Sequence, residues 1–366
     1  MHTTHARSHR AASAAPLPPV LLTADLLDAL AGDPLRRSAT LAFFRDSGSG
    51  DVVLRAWSAD DGSGAVVGFE CTGERAPLTF DLSRLLARSP AALGERWLVL
   101  GTPVRFRHTL YGAPAALGPL LERVVRDCRA IGIDGVVVPW VDLDDQDTVA
   151  LLAGLGCHEV FSDADWRLDT GGYADLDGLL AALPRSARKQ FASDRNHFAR
   201  THCTIRDWQP GDEAFAPRLH REFMSDHGHR GAEFTEAAFG SFSALPGARM
   251  RVAVDVDERP VGFAMAIHDD TTMHVLRWAR PSQGVPDRLY PTLGYLDPAE
   301  FAIAAGVQRV WLGKSAHRFK RLRGLTPVPA AFHILALDPD RQAHLGSAAE
   351  TADRLARERY RLALES

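Results

Sequence analysis

The order of secondary-structure signals constrains this 366-residue chain most, because it runs twice. The first pass begins with a helix at 19–32, capped by Thr23 or Asp25 and stopped by Gly32. Strand-like stretches follow at 40–45, 51–57 and 65–70, separated by Gly/Ser/Asp turns, then a strand at 96–101. An apolar 3.6-residue rhythm marks a helix at 118–132, a continuous apolar run marks a buried strand at 135–140, and a helix at 147–155 and a strand at 166–169 close the pass. The second pass reads strand 203–208, helices 213–226 and 233–242, a hairpin of 249–255 and 259–267, and strand 272–280. Helix 289–306, strands 309–312 and 330–337 and helix 347–365 complete it. Two such series predict an α/β (α+β) fold of two related modules in tandem, each a mixed, largely antiparallel sheet flanked by helices. The expected divisions are a disordered tail at 1–16, an N-terminal module at 17–170, a connector and basic helix at 171–202, and a C-terminal module at 203–366.

Composition removes several classes of function. Forty-two Lys and Arg against 46 Asp and Glu give a net charge of −4, which excludes a wholly basic nucleic-acid binder but not a local basic face. The four cysteines are too far apart for a CxxC pair, so neither a zinc knuckle nor a disulfide scaffold is expected. No metal site is expected either. No stretch of 18 apolar residues occurs and the first 16 residues lack the apolar core of a signal peptide, so the expected location is the cytoplasm. The GKS at 313–315 has no glycine five residues before Gly313, so it is not a P-loop, and no nucleophile elbow is present.

Residues 300–333 carry the distinctive motif. A helix stops at Gly306, a short strand ends WLG, a basic segment follows, and RG–x–x–P–x–P leads into a strand. Gly313, Lys320, Arg323, Gly324, Pro327 and Pro329, in that order, resemble the FemAB-like, or peptidoglycan biosynthesis/recognition, N-acyltransferases of the GNAT superfamily. The helix at 183–200 is similar to that group's basic inter-module helix. The resemblance covers about the last 190 residues and implies two GNAT-like modules that form an amide without a bound cofactor. Aminoacyl-tRNA or acyl-CoA would be the co-substrate, and an amine of a small molecule or of a cell-wall or natural-product precursor the acceptor. One departure matters. An acetyl-CoA site needs glycine-rich backbone facing the pyrophosphate at a helix N-terminus. Residues 280–294 offer Gln283, Gly284 and Arg288, but Pro286 removes an amide, and 105–118 in the first module is no better.

Charge sharpens the choice of donor. Residues 301–337 contain no Asp or Glu and six cations: Arg309, Lys314, Arg318, Lys320, Arg321 and Arg323. Arg188 and Lys189 add a second basic segment. With Gln283, Gly284 and Arg288 these residues are the expected donor-phosphate face, since Arg presents bidentate donors and Lys a point charge. A broad face favours a tRNA acceptor stem, whose phosphates position without reading sequence. Amide formation also needs a base for the amine. His268, His274, Asp226 and His227 are the candidates, with His229 in the same loop, and His317 and His333 are possible acids. Trp278, Tyr290 and Tyr295 are read as pocket walls. The expected function is aminoacyl transfer from aminoacyl-tRNA to an amine. The alternatives are an acyl-CoA-dependent N-acetyltransferase and a non-catalytic module that binds nucleic acid or peptide.

Overall fold

A computed structural model describes residues 23–46, 53–72, 86, 94–101, 107–226, 234–284, 286 and 288–365. The strands are β1 (Val53–Ser58), β2 (Gly64–Thr72), β3 (Arg96–Val99), β4 (Leu110–Gly112), β5 (Gly135–Asp142), β6 (His158–Asp169), β7 (Thr204–Asp207), β8 (Ala248–Val254), β9 (Pro260–His268), β10 (Thr272–Ala279), β11 (Arg309–Trp311) and β12 (Thr326–Ala336). They form one sheet in the order β1-β2-β3-β5-β12-β6-β11-β10-β9-β8-β7, with β4 beside β2. Each half has one parallel pair, β3 with β5 and β10 with β11, and is otherwise antiparallel. The helix Pro114–Ala130 makes the first parallel crossover, and the run from Leu289 to Ala304 makes the second. This is the expected pair of mixed α/β halves.

The halves exchange segments, which the division at residue 203 does not anticipate. β12 follows the second half in sequence, yet it lies between two strands of the first. It pairs with β6 from Thr326↔Arg167 to Ile334↔His158, and with β5 from Ala330↔Asp142 to Ala336↔Gly135. The N-terminal segment crosses the other way. Residues 40–45, expected as a strand, lie within the helix Ser38–Asp46. Thr40, Leu41, Phe43 and Phe44 are its buried positions, the three- and four-residue spacing of one helix face. Leu35, Phe43 and Phe44 share a core with Phe239, Phe242, Phe263 and Ile267 of the second half. The short apolar run fits either period, and only the partner surface decides between them. The tail expected at 1–16 lies outside the described residues.

The RG–x–x–P–x–P motif has a structural explanation. Arg323, 2% exposed, donates from Nε to Oδ2 of Asp194, which is fully buried on the helix Arg185–Ala199, and its Nη2 lies 2.6 Å from the same oxygen as an ion pair. Gly324 takes φ +73°, a left-handed conformation that a side chain would strain, with its Cα facing Ala187, Leu183 and Pro184 at the start of that helix. Pro327 and Pro329 fall where β12 is bonded to β6 but not yet to β5. The Pro329 carbonyl accepts from Leu143 N, so the missing amides of both prolines face the side without a ladder. The motif therefore fastens the basic helix and starts the shared strand.

Arg323→Met should strand the buried Asp194 carboxylate and cost about 3–5 kcal/mol. Chemical denaturation of Arg323→Met and of the double variant with Asp194→Leu checks this. The double variant should recover part of the loss, and equal stabilities of wild type and single variant would refute the anchoring role.

Candidate active site

The two halves meet along a polar seam built around Arg107. Arg107 is buried and its guanidinium reaches three carboxylates. Nη1 lies 3.2 Å from Asp142 Oδ1, Nη2 3.8 Å from Asp165 Oδ2 and Nε 3.8 Å from Asp33 Oδ2. Asp142 ends β5, Asp165 lies in β6, and Asp33 caps the short turn Pro34–Arg36 of the crossing N-terminal segment. From β10, His274 Nε2 lies 2.9 Å from Asp33 Oδ2. The Trp311 indole of β11 forms the floor, 4.2 Å beneath the Arg107 guanidinium and parallel to the His274 ring. Six separate chain segments supply this cluster.

Its electrostatics divide the carboxylates into two kinds. Burial alone would raise the Asp33 pKa, but His274, Arg107 and the Leu35 amide overcome it and hold Asp33 well below the ordinary carboxylate range. Asp142 moves the opposite way. Burial raises it, Arg107 offsets this only in part, and repulsion from Asp165, Asp145 and Asp33 adds to the rise. Burial would lower the Arg107 pKa, but Asp142, Asp165 and Asp33 raise it overall, so it stays charged. Asp142 has 30% of its side chain exposed against 6% for Asp165. Environments that push neighbouring acids apart in pKa mark acid–base sites. Asp142 is the more accessible of the two acids, and it stands at the carboxyl end of β5, which runs parallel to β3.

Backbone strain collects beside it. Trp140 has φ +57° at a register shift between β5 and β12, and Ser315 and Ala316 have φ +64° and +50°. Lys314 Nζ sits 2.8 Å from the centroid of the Trp140 ring, so the strained segments touch. Next to them, His317 Nδ1 accepts from Trp166 Nε1 at 3.1 Å and His317 Nε2 lies 3.2 Å from Asp163 Oδ1. Both ring nitrogens are thus engaged, which suits a brace better than a proton shuttle. Burial also pushes His108 down to about 3 and His333 down to about 4, so both remain neutral near pH 7.

The residues expected to act from sequence are dispersed. His274 belongs to the seam but is buried against Asp33, so it holds a carboxylate and does not face an acceptor. His268 lies on a different cavity, of about 620 Å³, with Arg249 and Phe301. Asp226 accepts from Ser282 Oγ at 2.9 Å and lies 3.5 Å from Arg280. Gln283 and Gly284 are exposed in the same loop, whereas Arg288 is 3.7 Å from Asp194. His227 and His229 lie outside the described residues.

Trp278, Tyr290 and Tyr295 do come together. The first two stack at 4.3 Å, the two tyrosines meet at 5.0 Å with their hydroxyls hydrogen-bonded, and Phe319 packs on both tyrosines. Burial raises both phenols; Tyr295 is buried in the core, whereas Tyr290 and Trp278 are only partly buried. Of the expected phosphate-binding cations, Arg188, Lys189, Arg318 and Arg321 are exposed. Lys320 and Arg323 are corrections. Lys320 is fully buried and donates to the Gly313 and Lys314 carbonyls at 2.7 and 2.8 Å, and Arg323 is buried on Asp194. A basic sequence run need not be a basic surface, because a carbonyl cage or a buried acid can hold a cation inside.

Residues 102–360 match the family described as FemAB-like, peptidoglycan biosynthesis/recognition. The chain belongs to the FemAB-like family. No curated protein matches the sequence. Solved structures share the fold. FemX superposes with a TM-score of 0.60 at 13% identity, covering 85% of this chain and 96% of its own. The C-terminal domain of a provisionally assigned lysylphosphatidylglycerol synthetase from Agrobacterium fabrum gives 0.57 at 11%, covering 88% and 94%. L-PGS from Bacillus licheniformis gives 0.53 at 11%, covering 87% and 98%. Family membership supports a peptidoglycan-related acyltransferase. Among the described residues of this FemAB-like chain, no helix is long and apolar enough to cross a membrane. Nor does any cluster of three His, Cys, Asp or Glu side chains suit a metal ion among them.

Asp142, Arg107 and Asp165 are absent from the sequence-derived candidates. Asp142 alone carried a usable signal, as an acid just past the buried apolar run at 135–140. Arg107→Gln should leave three carboxylates without their shared cation. Asp33 and Asp142 lose a cation that lowers their pKa values, so the variant gains protons on acidification and relieves the repulsion. Its loss in Tm relative to wild type should therefore be larger at pH 8 than at pH 5. Equal losses at both pH values would refute the electrostatic role.

Proposed function

We propose that this FemAB-like protein forms an amide by moving an aminoacyl group from aminoacyl-tRNA to an amine of a small molecule or cell-wall-type precursor, with Asp142 as base. The observation that carries the choice of donor is the state of the fork after β10. β10 and β11 are bonded only over Thr272–His274 and Arg309–Trp311, and β10 then bulges between Val275 and Arg277. A pantetheine arm entering where the strands diverge would need open space there. Here Val275, Leu312, Tyr295 and Phe191 share one core, with Tyr290 and Phe319 packed against it.

The loop that would hold a pyrophosphate is neutralised by its own protein. Arg280 and Ser282 Oγ are engaged by Asp226, and the Ser282 amide points to Glu222 at 3.4 Å. Two carboxylates at that place repel an anion. A donor whose phosphates rest on the outside of the protein avoids both obstacles. Arg188, Lys189, Arg318 and Arg321 are exposed for that contact, and the helices that carry them are joined through the Asp194–Arg323 pair.

The chemistry asks little of the side chains. Asp142 takes a proton from the acceptor's ammonium group, and the freed nitrogen attacks the ester carbonyl. The new C–N bond forms as the C–O bond to the ribose breaks, the ribose oxygen leaves with the proton returned from Asp142, and the second proton of the attacking nitrogen passes to the re-ionised Asp142 and on to solvent. A carboxylate with a raised pKa is better matched to this exchange near neutral pH than an ordinary one. Arg107 keeps the carboxylate oriented.

The test supplies charged tRNA and, separately, acetyl-CoA, each with UDP-linked cell-wall peptide or simple diamines, followed by mass spectrometry. A tRNA-dependent gain of one aminoacyl unit is expected. Asp142→Asn should lower kcat by roughly 10²–10⁴ with an unchanged circular dichroism spectrum. Turnover with acetyl-CoA alone would reverse the donor assignment. Salt-sensitive tRNA binding without turnover would support the non-catalytic reading instead.

A further inference from the structure

The cavity beside His268 is remote from the chemistry proposed for Asp142 and is built from different parts. It opens where β7 stops. β7 pairs with β8 as far as Asp207↔Arg251, and the Trp208 amide then donates to the Met250 carbonyl at 3.1 Å, which leaves Ala248–Met250 beyond the end of the edge strand. The space measures about 620 Å³, within the range of small-molecule sites. Trp208, Met250 and Phe301 supply apolar wall, while Arg249, Asp207 and Glu213 supply charge.

Arg249 is the informative side chain. Its guanidinium lies 3.9 Å over the Phe301 ring. Its carboxylate neighbours are Asp297 at 3.5 Å and Asp207 at 3.8 Å, but Arg251 holds the same two acids more closely, at 2.9 and 2.5 Å. Arg249 Nε is buried and has no hydrogen-bond acceptor among the described residues. Burial accordingly pulls the Arg249 pKa below its ordinary value, although Asp297 and Asp207 oppose this. Nε itself lies too deep to meet a ligand, but the Arg249 side chain is 18% exposed and lines the cavity, and a stacked guanidinium there is suited to a planar carboxylate. Asp207 and Glu213 bring negative charge to the same cavity, which suits a ligand that also carries an ammonium group.

We propose that this cavity binds a free α-amino acid with an apolar side chain: its carboxylate on Arg249, its ammonium group towards Asp207 and Glu213, and its side chain against Trp208 and Met250. A simple anion would be repelled by the two acids, and a simple amine would meet Arg249. Only a zwitterion satisfies both. The site stands apart from the Arg107 seam, so it does not depend on the donor or acceptor proposed there.

Gly240 allows a test that spares the ion network. It lines the cavity, and a Cβ built on it meets nothing within 4 Å, so Gly240→Leu starts its side chain in open space at the cavity wall. It also removes a helix-interior glycine, which favours folding. Calorimetric titration of the full chain would use L-phenylalanine and L-leucine, with phenylalaninamide and N-acetyl-phenylalanine as controls. Saturable binding of the free amino acids is expected, weakened at least about tenfold by either blocking group, as the loss of one charge-assisted contact implies. Gly240→Leu should abolish binding while leaving the Tm equal or higher, and Arg249→Gln should weaken binding at least about tenfold. No saturation by L-phenylalanine or L-leucine up to 10 mM, or equal affinity for the amide and the free acid, would overturn the proposal. So would undiminished binding by Gly240→Leu.

Discussion

The molecule depends on one strand that belongs to both halves. β12 receives its sequence position from the second half and its hydrogen bonds from the first, with β6 on one side and β5 on the other. The N-terminal segment returns the exchange by placing Leu35, Phe43 and Phe44 in the second core. Neither half can bury its apolar surface without a segment from the far end of the chain. The continuous sheet follows from this, and so does the position of the seam, because Asp142, Asp165 and Asp33 reach one guanidinium only when both crossings are made. The geometry also sets a kinetic cost, since pairing partners some 190 residues apart must wait for a long loop to close.

Concentrating three acids on one arginine is expensive unless the group has a use. Asp33 is fully compensated by His274, the Leu35 amide and Arg107, and behaves as structure. Asp142 shares the same cation but sits further into solvent and carries the residual repulsion. Holding one acid ionised and its neighbour poised to take a proton is how a fold prepares acid–base chemistry with a single residue type. The strained Trp140, Ser315 and Ala316 backbone lies within reach of the same site, bridged by Lys314 on the Trp140 ring, which is where stored strain is expected to collect.

Much of the fold was legible in the sequence, because strand and helix periods depend on local pattern. β5, β8, β9 and β10 and the helix Pro114–Ala130 are found where the apolar rhythm places them. The helix Ser38–Asp46 was not legible, since TLAFFR suits a strand until the second half offers its aromatic surface. The same limit applied to the site. His274 looked available in a list of residues, but its availability depended on Asp33, 241 positions away. Lys320 and Arg323 contributed to a positive run in sequence, yet a carbonyl pair and Asp194 draw them inside. Residue type can be read locally, whereas burial is a property of the closed fold. Arg107 illustrates this most clearly, because nothing in its own neighbourhood announces the acids that gather around it.

The shared strand also has a bearing on how such a protein can arise and be divided. A gene cut between residues 202 and 203 would yield one product with an open slot between β5 and β6 and another with a displaced closing strand and an uncovered aromatic face. Neither piece is a self-sufficient evolutionary unit, despite the twofold pattern of their elements. After an ancestral duplication, the trade of terminal segments would have locked the copies together, so that later changes in one could be kept only if the other tolerated them. Drift of the twin lobes is thereby constrained at the joint and left free at the periphery.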